Sequence, residues 1–476
     1  MILHGRETET NLMLDLLKSE KSELLGVTGR RRVGKTNLID KVYEKQMVFN
    51  MTGIQNGTTE NKLQHFADKL SIYSGERMII TPPDWQQAFL ILKQYLNKSR
   101  TKKKRVLFFD ELPWLATPKS NFLEMLAHFW NDYLVKKNSF VLVICGSSTS
   151  WIANKVYNSK GGLHNRVTQK INLKPFTLGE TKKYLHSKGI KLTLNAISEL
   201  YMAVGGIPFY LNAIKKGDSP TTAIERMCFK KDGLLREEYN NLFQALYENA
   251  SDHEAIVKAL AKSRQGLSRN ELIAKSKVSA GGPFARSMHD LILSGFVEEQ
   301  LPYGKKKRGV IYRLTDPYCI FYNRFITANK KTTKGLWQQL SAKQSYKIWR
   351  GYAFENLCLY HLDKIKAALG ISGVYTETSS FRQSSAEHTD KKGFQIDILI
   401  DRADNAINIC ECKYHEAEFT INNRYATQLR QRKAAFREGT KTKKLLFTTM
   451  VTNYPLIENA QMKDVVDAKV LLKDLF

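Results

Sequence analysis

The chain has 476 residues, 42% of them hydrophobic and 11% aromatic, which excludes a disordered protein; at roughly 150 residues per domain, two to four domains are expected. Lys and Arg number 74 against 46 Asp and Glu, a formal net charge of +28. An excess of this size points to a polyanionic partner, nucleic acid ahead of a membrane surface, with a soluble protein of basic surface as the bland alternative.

No apolar run approaches the roughly 20 residues that span a bilayer, so no membrane partner is expected. The opening "MILHGRETET" carries charge within its first ten residues and does not read as a signal peptide. Cys145, Cys319 and Cys358 sit in apolar contexts and read as core. Cys410 and Cys412 would share one strand face, and no CxxC pair offers a zinc site. A reducing cytoplasm is the expected compartment.

In the first third, "LLGVTGRRRVGKTNLID" starts with the apolar run Leu24 to Val27 and continues through Gly29, four residues, then Gly34, Lys35 and Thr36. That is the pattern GxxxxGK[ST], between a strand and a helix as it requires. Glycines let backbone N–H groups close on phosphate oxygens at a helix N-terminus. The candidates to hold ATP are Gly29, Arg30, Arg31, Arg32, Val33, Gly34, Lys35, Thr36 and Asn37, with Lys35 on the β- and γ-phosphates and Thr36 on Mg2+. The alternative is a basic turn that happens to contain glycine.

The strand "RVLFFDELPWL" ends in Asp110 and Glu111. Asp110 is the candidate to hold Mg2+, and Glu111 the general base that polarises water. A third strand, "FVLVICGSS", ends in Ser147 and Ser148, short polar groups within reach of a γ-phosphate. Arg166 lies between it and the strand Lys170 to Leu173; it is a candidate phosphate contact in its own chain or in a neighbour's, which leaves a homo-oligomer open, or a plain surface arginine. "GGIPFYLNAI" then opens a helix with Pro208 at its first position, suited to a lid.

The order of "GRETE", "GRRRVGKTNLI", "FFDELPWL", "ICGSS" and "GGIPFYL" resembles the archaeal-type ATPases of the P-loop class, close to the AAA+ and STAND groups, over roughly residues 1 to 240. The resemblance implies a parallel sheet with an added strand between the P-loop strand and the Asp110 strand, followed by a helical lid. STAND-type relatives often act as slow switches, so the motifs set no turnover rate.

Residues 253 to 315 change rhythm. "HEAIVKALAK" is an amphipathic helix; Ser268 and Glu271 form a predicted capping box; "PFARSMHDLILSGF" is a third helix; and two strands flank a tip from Gly304 to Gly309. Three helices and a hairpin read as a winged helix-turn-helix. Arg286 and His289 are its candidate base readers, and Lys305, Lys306, Lys307 and Arg308 a basic wing for backbone phosphate. A lid or docking module without DNA is the alternative.

With "DPYCIFYNRF" and the helix "GYAFENLCLYHL", the chain from about residue 315 is similar to a C-terminal domain of unknown function often attached to such ATPases. Two strand-like stretches, Ile396 to Ile400 and Ile407 to Cys412, carry Asp397 within the first and Glu411 and Lys413 at the end of the second. E-x-K spacing puts Glu411 and Lys413 on one strand face, and a hairpin brings Asp397 towards them. Repelling carboxylates held close call for a cation, and oxygen ligands suit Mg2+ or Mn2+. Asp397, Glu411 and Lys413, with Glu355 as an upstream helical acid, resemble the PD-(D/E)xK nucleases, with Ile396 standing where the pattern has proline. That resemblance implies metal ligation by Asp397, Glu411 and Glu355, and Lys413 beside the reacting phosphate. An inactive relative or a structural hairpin are the alternatives. "NRYATQLRQRKAAFREGTK" supplies a basic helix for backbone phosphate.

The expected architecture is a multidomain α/β protein. It comprises a P-loop ATPase core (1–175), a helical lid (176–248), a winged helix (249–316) and a restriction-endonuclease-like α/β domain (317–476). The expected function is ATP-dependent action on nucleic acid, DNA first, with a Mg2+-dependent nuclease-like domain. The alternative is a STAND-like signalling or scaffold switch.

Overall fold

The structure is a computed structural model that describes residues 3–98, 103–159, 161–247, 249–305, 309–329, 333–383 and 394–476. Lys306, Lys307 and Arg308 of the predicted wing lie outside the described residues. The chain forms two compact units, residues 1–175 and 176–476.

The first unit is built on five parallel strands: β1 (Glu23–Gly29), β2 (Met47–Thr52), β3 (Arg105–Asp110), β4 (Phe140–Gly146) and β5 (Gln169–Leu173). Their order is β2-β3-β4-β1-β5. β1, β3 and β4 are buried along their whole length, as a parallel sheet covered on both faces demands, and their sequences accordingly run apolar without alternation. β4 separates the strand before the P-loop from the strand ending in Asp110, the insertion the resemblance implied. Val27 pairs with Cys145, and Phe109 pairs with Ile144, so β1, β3 and β4 end at the same edge. One face is filled by an aromatic core of Phe49, Phe66, Trp85, Phe89, Phe109, Phe122 and Phe129. Ligands of open parallel sheets bind at the carboxyl ends of strands, where Gly29, Asp110 and Gly146 stand.

The second unit begins with helix Leu178–Ser187, whose Thr177 and Glu180 form a capping box. Helices Leu194–Val204 and Pro208–Asn212 follow, the latter with proline at its start as the sequence predicts. Helices Ala250–Ala261, Arg269–Ser276 and Gly282–Leu293 come next, with the predicted capping box at Ser268 and Glu271 in place. Strands β6 (Leu267–Ser268), β7 (Val297–Gln300) and β8 (Ile311–Leu314) form a small antiparallel sheet in the order β6-β8-β7. The β7–β8 hairpin is fastened near its tip. The N–H of Tyr303 donates to the carbonyl of Ser380 at 2.9 Å, and the Tyr303 ring lies 5.3 Å from Phe436.

The last part is a mixed sheet in the order β15-β13-β11-β10-β9, from β9 (Thr376–Gln383), β10 (Phe394–Arg402), β11 (Ala406–Lys413), β13 (Leu445–Thr452) and β15 (Ala468–Leu471). β9, β10 and β11 are antiparallel, whereas β11, β13 and β15 run parallel. The short strands β12 (Phe419–Thr420) and β14 (Leu456–Ile457) pair beside it. Asn405, at φ 64°, makes the tight turn between β10 and β11, a conformation asparagine tolerates well. Ile396, Leu399, Ile407, Ile409 and Leu446 pack against Phe436 of helix Asn423–Thr440, while helix Gln344–Tyr360 packs on β11. All six cysteines are free and buried. Among the described residues, no helix is long and apolar enough to cross a membrane.

Candidate active sites

The first site grows out of the end of β1. Gly29 has φ 144°, and a Cβ there would lie 2.4 Å from the carbonyl oxygen of Leu173 on β5, so only glycine fits. At Gly34 a Cβ would meet nothing within 4 Å, and the demand is its φ of 90°. Arg32 is also left-handed, at φ 69°. A loop with turns of this kind gathers amide N–H groups around an anion. Lys35 opens helix Lys35–Tyr43 and is 5% exposed. Its Nζ donates to the carbonyls of Gly29 at 2.9 Å and Arg30 at 3.1 Å, and to Ser147 Oγ at 2.9 Å.

The Thr36 hydroxyl donates to Asp110 Oδ2 at 2.7 Å, and the Glu111 N–H donates to Asp110 Oδ1 at 2.9 Å. Glu111 itself is left-handed, at φ 46° and ψ 54°, a conformation that costs a non-glycine residue on the order of 1–3 kcal/mol. Ser147 grips its carboxylate at both oxygens: the N–H donates to Oε2 at 3.0 Å and the hydroxyl to Oε1 at 2.6 Å. Lys35, Thr36, Asp110, Glu111 and Ser147, drawn from three separate stretches of sequence, therefore meet in one network. Arg30, Arg31, Arg32 and Val33 form the loop between them, and Asn37 is exposed on the first helical turn. Arg166 is exposed in the turn before β5, where its backbone N–H donates to the Leu163 carbonyl at 3.0 Å.

Two residues escaped the sequence reading. Arg6, within "GRETE", is 5% exposed, and its guanidinium donates to the Val33 carbonyl at 3.4 Å. Asp40 stands one helical turn beyond Thr36, and burial together with the Asp110 carboxylate pushes its own carboxyl up. The i, i+4 spacing from Thr36 was the available signal. Hydroxyl and carboxylate oxygens at Thr36 and Asp110 are the donor set that Mg2+ takes, and a buried lysine over a glycine loop suits a polyphosphate, so the residues present fit ATP and Mg2+.

The second site lies on β10 and β11. Ile398 pairs with Cys410, a register that carries Asp397 opposite Glu411. Glu411 is 5% exposed. Its Oε1 accepts from Lys413 Nζ at 2.7 Å and from the Tyr425 hydroxyl at 3.1 Å, and its Oε2 accepts from Arg432 at 2.7 Å. Burial works to raise the Glu411 carboxyl, yet Lys413 and Arg432 hold it below its ordinary value. Asp397 is pushed up by burial and then by the Glu411 charge, and Glu355 by burial and then by Asp397. All four sequence-predicted residues thus fall within one electrostatic cluster.

Three further residues join it. Arg313, from β8, is 8% exposed, donates to Asn356 Oδ1 at 2.9 Å, and its charge faces Glu355 and Asp397. Tyr425 and Arg432 come from helix Asn423–Thr440. Tyr425 and Arg432 lie in the helix that the sequence singled out as basic; Arg313 follows a long loop and had no local signal. Among the described residues, no three His, Cys, Asp or Glu side chains converge closely enough to hold a metal ion.

Comparison with known proteins bears on the first site. Residues 3–214 match the family described as an ATPase domain predominantly from Archaea. An uncharacterized protein of Methanocaldococcus jannaschii is 26% identical over 358 residues, covering 74% of this chain and 75% of its own. The Walker-type ATPase of Pyrococcus abyssi superposes with a TM-score of 0.51 at 16% identity, covering 68% of this chain and 96% of its own, which shows a shared fold. The Aeropyrum pernix ORC2 protein superposes with a TM-score of 0.41 at 13% identity, over 72% of this chain and 96% of its own. The glycine loop, the buried lysine and the paired acids all lie within residues 3–214, the part of the chain that matches this archaeal ATPase domain.

Proposed function

We propose that the chain binds and hydrolyses ATP and acts on nucleic acid, DNA first, with a C-terminal domain of the PD-(D/E)xK nuclease kind. The observation that carries the ATPase part is the network of Lys35, Thr36, Asp110, Glu111 and Ser147. Lys35 and the loop Gly29–Gly34 would hold the phosphates, and Thr36 and Asp110 would hold Mg2+. When bound, the ion supplies charge neutralisation between the phosphates. Glu111 accepts the proton of the attacking water, and Ser147 sets the direction of that carboxylate.

The basic balance supports nucleic acid as the partner. The three helices and small sheet of residues 250–314 fit a winged helix, with Arg286 and His289 exposed on its third helix. At the C-terminal site, Asp397, Glu411 and Glu355 would be the oxygen donors for Mg2+ or Mn2+ once drawn together, and such an ion would lower the pKa of a bound water. Lys413 would hold the phosphate or the developing charge beside it.

One observation favours a second reading, an ATP-dependent switch with an inactive nuclease fold: both oxygens of Glu411 are occupied by cationic side chains. The test is incubation of the purified chain with duplex DNA, single-stranded DNA and RNA, with and without Mg2+ or Mn2+ and ATP. Ion-dependent cleavage lost on Asp397→Ala supports the first reading. ATP hydrolysis with no nucleic-acid binding or cleavage supports the switch.

A further inference from the structure

Helix Gln344–Tyr360 packs on β11 and brings Arg350 to the segment that leaves that strand. Two rings hold the Arg350 guanidinium, which lies 5.5 Å from the centre of Tyr346 and 5.1 Å from that of Tyr414. Both rings are themselves fixed. The Tyr346 hydroxyl donates to Glu199 Oε1 at 2.8 Å, and the Tyr414 ring lies 5.3 Å from Phe354. Arg350 is therefore a cation set in place in advance, with its side chain 15% exposed. Its ion pair is with Glu416, whose side chain is 60% exposed. The match is poor. Glu416 Oε1 accepts from Arg350 at 2.9 Å and faces Lys347 Nζ at 3.4 Å, so one oxygen serves two cations. The Nε–H of Arg350 is buried and has no hydrogen-bond partner among the described residues.

Two cations against one exposed carboxylate leave a positive charge over. Lys347 and Arg350, three apart, share one face of the helix. Lys343, one turn earlier, is exposed and forms no ion pair among the described residues. Lys413 adjoins this patch: burial lowers the pKa of His415, and the charges of Lys413 and Arg350 both lower it further. A carboxylate in so exposed a pair is weakly held. A phosphodiester is the better partner, because its two free oxygens can meet Nε and Nη2 of Arg350 side by side, with the Lys347 ammonium against one of them.

We propose that Arg350 and Lys347 form a binding site for a backbone phosphate of nucleic acid, and that Glu416 occupies it as a stand-in carboxylate until the phosphate displaces it. This rests on the reading of nucleic acid as the partner and requires no metal ion. It places a phosphate contact beside the end of β11, on a cation whose orientation is fixed before binding.

The test is fluorescence anisotropy of a labelled duplex with the full chain, in EDTA, over a series of salt concentrations. Arg350→Gln should weaken binding about tenfold, the scale of one charged hydrogen-bonded contact, and should flatten the slope of log affinity against log salt by about one. Lys347→Gln, at an exposed position that guards against a folding defect, should weaken binding in the same direction. Glu416→Gln removes the competitor and should tighten binding about threefold. Glu418→Gln makes the same change of charge at a nearby exposed carboxylate and should tighten it far less. In an Arg350→Gln background the gain from Glu416→Gln should vanish. No loss in Arg350→Gln and Lys347→Gln, no gain in Glu416→Gln, or a gain matched by Glu418→Gln overturns the site and leaves the nucleic-acid reading standing. Arg350-dependent displacement of the duplex by inorganic phosphate at constant ionic strength would overturn it in favour of a site for the free anion. If neither the native chain nor Glu416→Gln binds duplex, single-stranded DNA or RNA at low salt, the nucleic-acid reading falls and the site with it.

Discussion

Ser147 stands between the two charges that matter most in the nucleotide site, accepting from Lys35 and donating to Glu111. Each partner has a separable task, so substitutions should separate in their effects. Lys35→Ala removes the cation aimed at the phosphates and should abolish ATP binding, read by fluorescent-nucleotide titration. Glu111→Gln keeps shape and loses the base; binding should persist while turnover falls about 10²-fold or more. Full activity in that variant would mean that water is activated elsewhere. Ser147→Ala leaves Glu111 with the backbone N–H alone. Losing one hydrogen bond to a charged group is worth about 1.5–3 kcal/mol, so kcat should fall about tenfold to a hundredfold with little change in nucleotide affinity. A change confined to affinity would show that Ser147 serves Lys35 and not Glu111.

At the scale of elements, helix ends show how local chemistry becomes tertiary structure. Helix Leu178–Ser187 starts with its own capping box, and its first N–H, from Leu178, is satisfied from far along the chain by His361 Nε2 at 3.0 Å. The other ring nitrogen, Nδ1, bonds the Leu357 carbonyl at 2.8 Å and so carries the proton, which leaves Nε2 as the acceptor. Burial lowers the His361 pKa to about 4 from 6.5. A depressed histidine contributes stability that is fully present above the unfolded value and is lost as pH falls through the window from 6.5 to about 4. The full loss is on the order of 3 kcal/mol. The thermal midpoint should therefore drop between pH 7.5 and pH 5, and His361→Gln, which keeps an acceptor without a titrating ring, should flatten that drop. An unaltered pH dependence in the variant would place the acid-sensitive group elsewhere. The same contrast explains what could be read from sequence. Gly29, Gly34, Lys35 and Thr36 lie within eight residues, and the β1 loop imposes their spacing, so the pattern is visible without a fold. Asp110, Glu111 and Ser147 end apolar strands, which makes them visible as candidates; only the order β3-β4-β1 brings them together. Capping boxes at Ser268 and the proline start at Pro208 are likewise local. Arg313 reaches the C-terminal cluster from β8, far back along the chain, and β13 pairs with β11 and β15 with β13 through parallel crossovers. No short-range period encodes such partners.

At the scale of the whole molecule, a net charge of +28 means that many cations have no acidic partner, and the question is where those cations lie. Helix Asn423–Thr440 looks basic in sequence, yet Arg430, Arg432 and Lys433 are paired with Asp464, Glu411 and Asp467. Phosphate contacts must then come from cations without such partners, and nucleic-acid affinity should be salt-dependent but carried by several regions. Six phosphate contacts would cost on the order of 10³-fold in affinity between 50 and 200 mM salt. A flat salt response, or no binding at low salt, would favour the switch over action on nucleic acid.

The division of labour between the two sites has its own test. Asp397→Ala removes a carboxylate from the C-terminal cluster and should abolish ion binding and cleavage together. Lys413→Ala removes a cation bonded to Glu411 at 2.7 Å. Ion binding should then persist or tighten while cleavage stops, because the charge beside the phosphate is gone. Calcium, larger and more flexibly ligated, should support DNA binding without cutting. ATP hydrolysis should survive both substitutions, since Lys35, Thr36, Asp110, Glu111 and Ser147 all belong to the other compact unit. Measuring hydrolysis with and without DNA in each variant decides the matter. If Asp397→Ala or Lys413→Ala suppresses DNA-stimulated hydrolysis while leaving the basal rate intact, the C-terminal cluster reports to the ATPase. The chain would then couple nucleotide turnover to the state of its phosphodiester site.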